Sequence, residues 1–283
     1  MKTFKVRRLV SAAAKCAFLT TLITNLGLCP SEAADSKKLT YVIVHGAFSG
    51  GWDWKEVGEI LTARGHTVYR PTLTGLGERV HLAGPEINLT THITDVVNVI
   101  KYESLSNVVL CGHSYAGMVL TGVMDRIPER LRHVIFMDAV LPNDGESFVS
   151  LGEAGGDPFP EKEKEESALK GYSSPSWLNF NKPPPSEVPH PWKTFTEPVS
   201  FKNPVAKQLS ATLIFFLDKE QKPEVLDKNN KDSVWRHMHW QRATARGWTI
   251  EKLKGPHVAE KTHPKELAAL LDQIPAKSVK NGP

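Results

Sequence analysis

Ser114, Asp218 and His257 are the residues of this 283-residue chain whose types and order could carry out covalent chemistry. A serine hydroxyl is a weak nucleophile near neutral pH. It needs an imidazole to take its proton, and the imidazole needs a carboxylate to orient it. Ser114 lies in Val108-Val109-Leu110-Cys111-Gly112-His113-Ser114-Tyr115-Ala116-Gly117-Met118-Val119, which reads as an apolar strand, a tight turn and a helix. Such a nucleophile elbow presses the residues two before and two after the serine together, so both must be small; here they are Gly112 and Ala116, with Gly117 behind. Asp218 follows the apolar run Ala211–Leu217, and His257 follows Trp248–Leu253. Parallel pairing of these runs would gather all three side chains on one sheet edge. Asp138, after His133–Met137, also ends a strand and is the rival for the acid; we read Asp218 as the acid in the order serine, acid, histidine.

An acyl-transfer site also needs donors for the oxyanion. The backbone N–H groups of Ala47, after His45-Gly46, and of Tyr115 are the expected pair. Phe48, Tyr115, Trp177 and Trp192 are the expected walls of the substrate pocket, and His113 is expected to buttress the turn. His237 and His239 stand two apart on a helix and point to different faces, so they make no metal pair. His263 precedes Pro264 at a helix start, where a local role is expected. Gly75-Leu76-Gly77 has neither dinucleotide-binding nor P-loop spacing. The chemistry requires neither a metal nor an organic cofactor.

The positioning elements follow from hydrophobic patterning. Leu39–Val44 is a continuous apolar, β-branched run, and His66–Pro71, Val108–His113, His133–Met137, Ala211–Leu217 and Trp248–Leu253 read as the further strands. Helical spacing fills the intervals at about Trp54–Arg64, Thr91–Tyr102, the segment after Ser114, Asp232–Arg246 and Pro264–Ile274. Alternating strands and helices predict an α/β fold with a mostly parallel central sheet flanked by helices. From about 142 to 205 the pattern breaks: proline is dense, Glu161–Glu166 is charged, yet Trp177, Phe180, Trp192 and Phe195 are present. We read this segment as a cap inserted over the carboxyl edge of the sheet.

Residues 1–33 read as a secretory signal, with a basic start, an apolar run from Cys16 to Leu28 and small residues before Ala34. The domain proper is then 34–283, periplasmic or secreted. Residues 1–33 hold five of the 35 basic residues and one of the 31 acidic ones, so the remainder is balanced, which argues against a nucleic-acid partner. The apolar run is too short for a membrane span, so no stable membrane insertion is expected once the signal is removed. Of the three cysteines only Cys111 remains in the domain, read as a small core residue. No oligomeric state is specified.

Val44-His45-Gly46-Ala47, Gly50-Gly51-Trp52, Gly112–Met118, Asp218 and Gly255-Pro256-His257 together carry a family likeness. The chain resembles the α/β-hydrolase branch of bacterial carboxylesterases, plant methylesterases such as the salicylic-acid-binding protein, and hydroxynitrile lyases. Pro71–Arg79 and Met137–Pro142 are most similar to the bacterial esterases, while Pro256 stands where many relatives have Asp or Gly. The resemblance implies a serine esterase acting through an acyl-enzyme on a small-molecule ester of small to medium size and hydrophobic character. The lyases carry a lysine directly after the histidine; here it is Val258. A non-catalytic binding protein on the same fold is the other alternative.

Overall fold

The computed structural model describes residues 38–218 and 221–280, with side chains to 275; the expected secretory signal lies outside the described residues. Six parallel strands form the central sheet: β1 (Thr40–Val44), β2 (Thr67–Tyr69), β3 (Val108–His113), β4 (Leu131–Met137), β7 (Ala211–Leu217) and β8 (Thr249–Lys254), in the order β2-β1-β3-β4-β7-β8. Every β3 and β7 residue is buried. Both faces of these strands are covered, which is why they read as unbroken apolar runs.

Alternate side chains enter two separate cores. Val42, Val44, Leu110, Phe136 and Leu213 enter one, with α2 (Leu89–Tyr102) and α3 (Ala116–Arg126). Tyr41, Ile43, Val109, Ile135 and Ile214 enter the other, with α1 (Lys55–Ala63) and α9 (Pro264–Lys280). The period-two alternation of a strand is thus converted directly into two layers. α2 begins with a capping box in which Asn88 accepts from the Thr91 N–H. α7 (Lys231–Ala245) precedes β8, and the short α8 (Ala259–Thr262) follows it.

The chain runs from β1 outward to β2 and back to β3 on the other side of β1, so the topology switches between β1 and β3. Loops leaving adjacent strands there diverge and open a crevice at their carboxyl ends. The loop after β1 carries Ala47 and the turn after β3 carries Ser114.

Between β4 and β7 lie the elements that strand patterning did not anticipate. They are α4 (Phe148–Ala154), α5 (Glu161–Lys170), the antiparallel two-residue strands β5 (Tyr172–Ser173) and β6 (His190–Pro191), and α6 (Lys193–Thr196). Helices α4 and α5 were hidden by their composition: α4 is seven residues long and α5 is nearly all charge. Phe148, Phe159, Trp192 and Phe195 pack into an aromatic cluster here, with Phe148 and Phe195 ring centroids 4.8 Å apart.

Candidate active site

Ser114 has φ +55°, a left-handed conformation that costs a non-glycine residue roughly 1–2 kcal/mol. Its surroundings enforce it. The Ser114 N–H donates to the Met137 carbonyl at 3.2 Å, and the Ser114 carbonyl accepts from the Val140 N–H at 3.2 Å. A side chain at Gly117 would collide with the Val140 carbonyl, and one at Gly112 with Leu120. A Cβ at Gly112 would also stand 3.1 Å from the Ala116 Cβ. The methyl of Ala116 is therefore accommodated because position 112 is glycine.

His257 lies in the turn between β8 and α8, half-exposed, and its ring bridges two partners. Its Nε2 is 3.1 Å from Ser114 Oγ, and its Nδ1 is 2.7 Å from Asp138 Oδ2. The carboxylate can only accept, so Nδ1 carries the proton and Nε2 is left to take the serine proton. The loop is pinned from below. His113 Nε2 donates to the His257 carbonyl at 2.8 Å, and the two imidazole centroids are 4.5 Å apart. Burial, aided by His257, lowers the His113 pKa to about 3, so His113 is a neutral support, as expected from its place before the nucleophile.

The acid is the correction. Asp218 is exposed, and the carboxylate on His257 Nδ1 is that of Asp138. Both residues end strands, but β4 is hydrogen-bonded directly to β3, whereas β7 lies one strand further out. Asp138 also has a left-handed backbone, φ +43°, and its N–H donates to the Ile214 carbonyl at 2.7 Å. Its other oxygen accepts from Arg236 Nη1 at 2.9 Å and from the Phe216 N–H at 3.3 Å. Burial pushes this carboxyl upward. The His257 hydrogen bond, with the charges of His257 and Arg236, outweighs burial and holds Asp138 below the usual carboxylate range. Arg236, on α7, gave no sequence signal beyond its i,i+4 partner Asp232.

Ala47 follows Gly46, where a side chain would press on His113 and Ser114 at 3.0 and 3.3 Å. Among the described residues, neither the Ala47 N–H nor the Tyr115 N–H donates to another protein group. Their neighbours are tied down. His45 Nδ1 bonds the Gly46 carbonyl at 2.8 Å while its Nε2 accepts from the Leu73 N–H at 3.1 Å. The Phe48 N–H donates to His190 Nδ1 at 3.1 Å, and His190 Nε2 reaches Thr194 Oγ1 at 2.8 Å. Burial lowers the pKa of His45 to about 4 and holds His190 well below the usual imidazole value, so both are neutral at physiological pH. Patterning could not find these contacts because they join elements remote in sequence.

A cavity of about 820 Å³ opens onto Ser114 and His257. Phe48 and Trp177 line it, as expected. Tyr115 and Trp192 do not. The Tyr115 side chain is fully buried, with its hydroxyl 3.0 Å from His92 Nδ1, and Trp192 packs against Phe159 and Phe195. The walls are instead completed by Phe148, Phe159, Phe195, Leu178 and Trp235. Three further histidines are held by hydrogen bonds: His263 by a sequence neighbour, as expected, but His237 and His239 by residues 14 and 98 positions away. His237 Nδ1 meets the Pro223 carbonyl, His239 Nδ1 accepts from the Leu141 N–H, and His263 Nδ1 meets Thr262 Oγ1.

The carbendazim hydrolyzing esterase of Nocardioides sp. (strain SG-4G) is 47% identical over 111 residues, covering 39% of this chain and 46% of that protein. Salicylic acid-binding protein 2 of Nicotiana tabacum is 32% identical over 114 residues, covering 38% and 43%. The matches thus span less than half the length of these two relatives. Among solved structures, an extracellular alpha/beta-hydrolase from a Paenibacillus species superposes with a TM-score of 0.65 at 22% identity, covering 83% of this chain and 98% of that one. The alpha/beta hydrolase family pattern matches residues 41–270, and with the six-stranded parallel sheet and the elbow at Ser114 in place, this chain belongs to the alpha/beta hydrolase family.

Proposed function

We propose that the protein is a serine hydrolase of carboxylic esters. The observation that carries this reading is the continuous relay from Ser114 Oγ through His257 to Asp138, at 3.1 and 2.7 Å. His257 Nε2 takes the Ser114 proton as Oγ attacks the ester carbonyl. The negative charge on the carbonyl oxygen is met by the Ala47 and Tyr115 N–H groups, and Asp138 stabilises the imidazolium. His257 then protonates the departing alcohol, leaving an acyl-enzyme. Water, deprotonated by the same nitrogen, releases the acid and restores Ser114.

The substrate class is read from the walls. Phe48, Phe148, Phe159, Phe195 and Trp177 surround a volume suited to small and medium hydrophobic esters. The names of the relatives, an esterase and a salicylic acid-binding protein, support the same class. We read 142–205 as the cap over this site and residues 1–33 as an export signal. The mature protein recovered from the periplasm or medium is then expected to begin at Ala34, as N-terminal sequencing would show.

A fluorophosphonate probe is expected to label Ser114, and the protein to turn over a p-nitrophenyl ester. Ser114→Ala should lose the label and at least about 10³-fold in kcat. Labelling without turnover of any ester in a panel would leave a binding protein, and cyanide release from mandelonitrile would make it a lyase.

A further inference from the structure

The cavity that holds Ser114 has a second wall of opposite character. Ser49, Asp53, Glu187, Glu260 and Lys261 line it as well, and the last four also border a neighbouring cavity of about 750 Å³. Within this wall the charges are already distributed. Lys261 Nζ is 3.0 Å from Asp53 Oδ1 and 3.4 Å from Glu187 Oε1, and it lies 5.2 Å from the Trp52 ring centroid. Ser49 Oγ is hydrogen-bonded to the other Asp53 oxygen. One cation therefore faces three carboxyl groups, and it is engaged by two of them.

Glu260 is the group left over. It is 2% exposed, and its Oε2 is buried without a hydrogen-bond partner. An unpartnered buried carboxyl oxygen bears its full desolvation cost, so such a group in a native fold calls for an explanation. The other acids lining the cavity are partnered: Asp232 with Arg236, Asp157 with Lys231, Glu163 with Ser173. Glu260 lies on α8, three residues beyond His257, and lines the same cavity as Ser114 and His257. Burial, together with the charge of Asp53, raises its pKa to about 7, which leaves it ready to ionise beside an arriving cation.

We propose that Glu260, with Asp53, forms a specificity subsite for a protonated amine carried by the substrate, whose apolar part lies against the aromatic wall. Glu260 Oε2 accepts a charge-assisted hydrogen bond from the ammonium group, and Asp53 adds a second negative charge that Lys261 only partly offsets. An anionic group at the same place would meet two or three carboxyls and one occupied lysine. The ester hydrolase reading supplies the bond that is broken, but the subsite is a binding property and can be measured without turnover.

The test is calorimetric titration of the full chain near neutral pH with three non-hydrolysable ligands of one shape: phenylbutylamine, phenylbutanol and phenylbutyrate. The amine is expected to bind about tenfold or more tighter than the carboxylate, with the alcohol between, the size of one charge-assisted hydrogen bond. Glu260→Gln should cut the amine's advantage over the alcohol to within about threefold, and Asp53→Asn should reduce it independently, each checked for folding by thermal melting. An amine that binds no tighter than the carboxylate, or that does not bind, overturns the proposal. So does an advantage that survives in both variants. Failure of ester turnover with the amine preference intact would instead count against the acyl-enzyme reading alone.

Discussion

The carboxyl edge of the sheet and the insertion between β4 and β7 line the same cavity but are held in place differently. At the sheet edge, Ser114 and Asp138 stand at the ends of wholly or almost wholly buried strands, and backbone hydrogen bonds to neighbouring strands lock both in left-handed conformations. The insertion has one pair of two-residue strands. Its order comes from side chains: the stacked His190 and Phe195 rings, 4.3 Å apart, and the contacts of Phe148, Phe159 and Trp192 around them. The difference teaches where each property resides. Groups that must keep a geometry within tenths of an ångström are fixed by the rigid ladder. Much of the aromatic wall that meets the substrate is carried by the insertion, which reaches back to the edge through the hydrogen bond from the Phe48 N–H to His190.

Five substitutions would break or sharpen this contrast. The largest effect is expected at the edge. Asp138→Asn should lower kcat by about 10²–10⁴-fold, because the His257 ring loses its oriented tautomer, while the melting temperature falls only modestly. Asp218→Asn, at an exposed position, should leave kcat within about twofold. Steady-state kinetics on one p-nitrophenyl ester compares the two, and equal losses would contradict the assignment of Asp138.

In the insertion the expected loss is of stability. Phe195 is 1% exposed, and Phe195→Ala should cost about 3–5 kcal/mol in denaturant unfolding. Much of any loss of activity should then be recovered at lower temperature, where the folded fraction is restored.

The two buried carboxyls beside His257 should give the stability–pH curve opposite slopes. Asp138 is held below the ordinary carboxylate range, so its contribution is present above that range and is lost as pH falls through its lowered pKa. Glu260 is raised from 4.5 to about 7, so its contribution is complete below 4.5 and is lost as pH rises through about 7. Glu260→Gln should therefore remove a decline of roughly 2–3 kcal/mol between those limits, read from urea midpoints at a series of pH values. A parallel curve for wild type and variant would mean that Glu260 does not titrate there.

Trp177, 73% exposed and 5.9 Å from the Phe48 centroid, should show the smallest of the expected losses, Asp218→Asn being the near-neutral control. Trp177→Ala is expected to raise KM a few-fold for aromatic esters, with kcat and melting temperature nearly unchanged. A fall in kcat without a change in KM would move Trp177 from the aromatic wall to the catalytic edge.

Much of this was legible before any coordinates. The six strands of the sheet and their flanking helices were readable, the inner strands because a buried parallel strand must be apolar on both faces, and the partly exposed β2 and β8 from the alternation of strands with helices. Ser114 and His257 were readable because a nucleophile elbow demands small residues at fixed offsets and because a base must follow a strand on the same edge. The short helices of the insertion were not, since α5 is stabilised by charge pairs such as Lys164 with Glu161 rather than by an apolar stripe. Tyr115 and Trp192 were misplaced because an aromatic side chain has no sequence mark that separates a core site from a pocket wall.

The sequence by itself determined the scaffold and singled out Ser114 and His257 as candidates, since these depend on local periodicity and on the steric limits of one turn. Only the tertiary structure decided the acid, the histidine staples at His45 and His190, and the unpartnered carboxyl of Glu260. Asp138 and Asp218 end strands of the same kind. Which carboxylate meets an imidazole 119 residues from Asp138 in the chain depends on strand order and on the reach of a loop, and neither is written in the residues nearby.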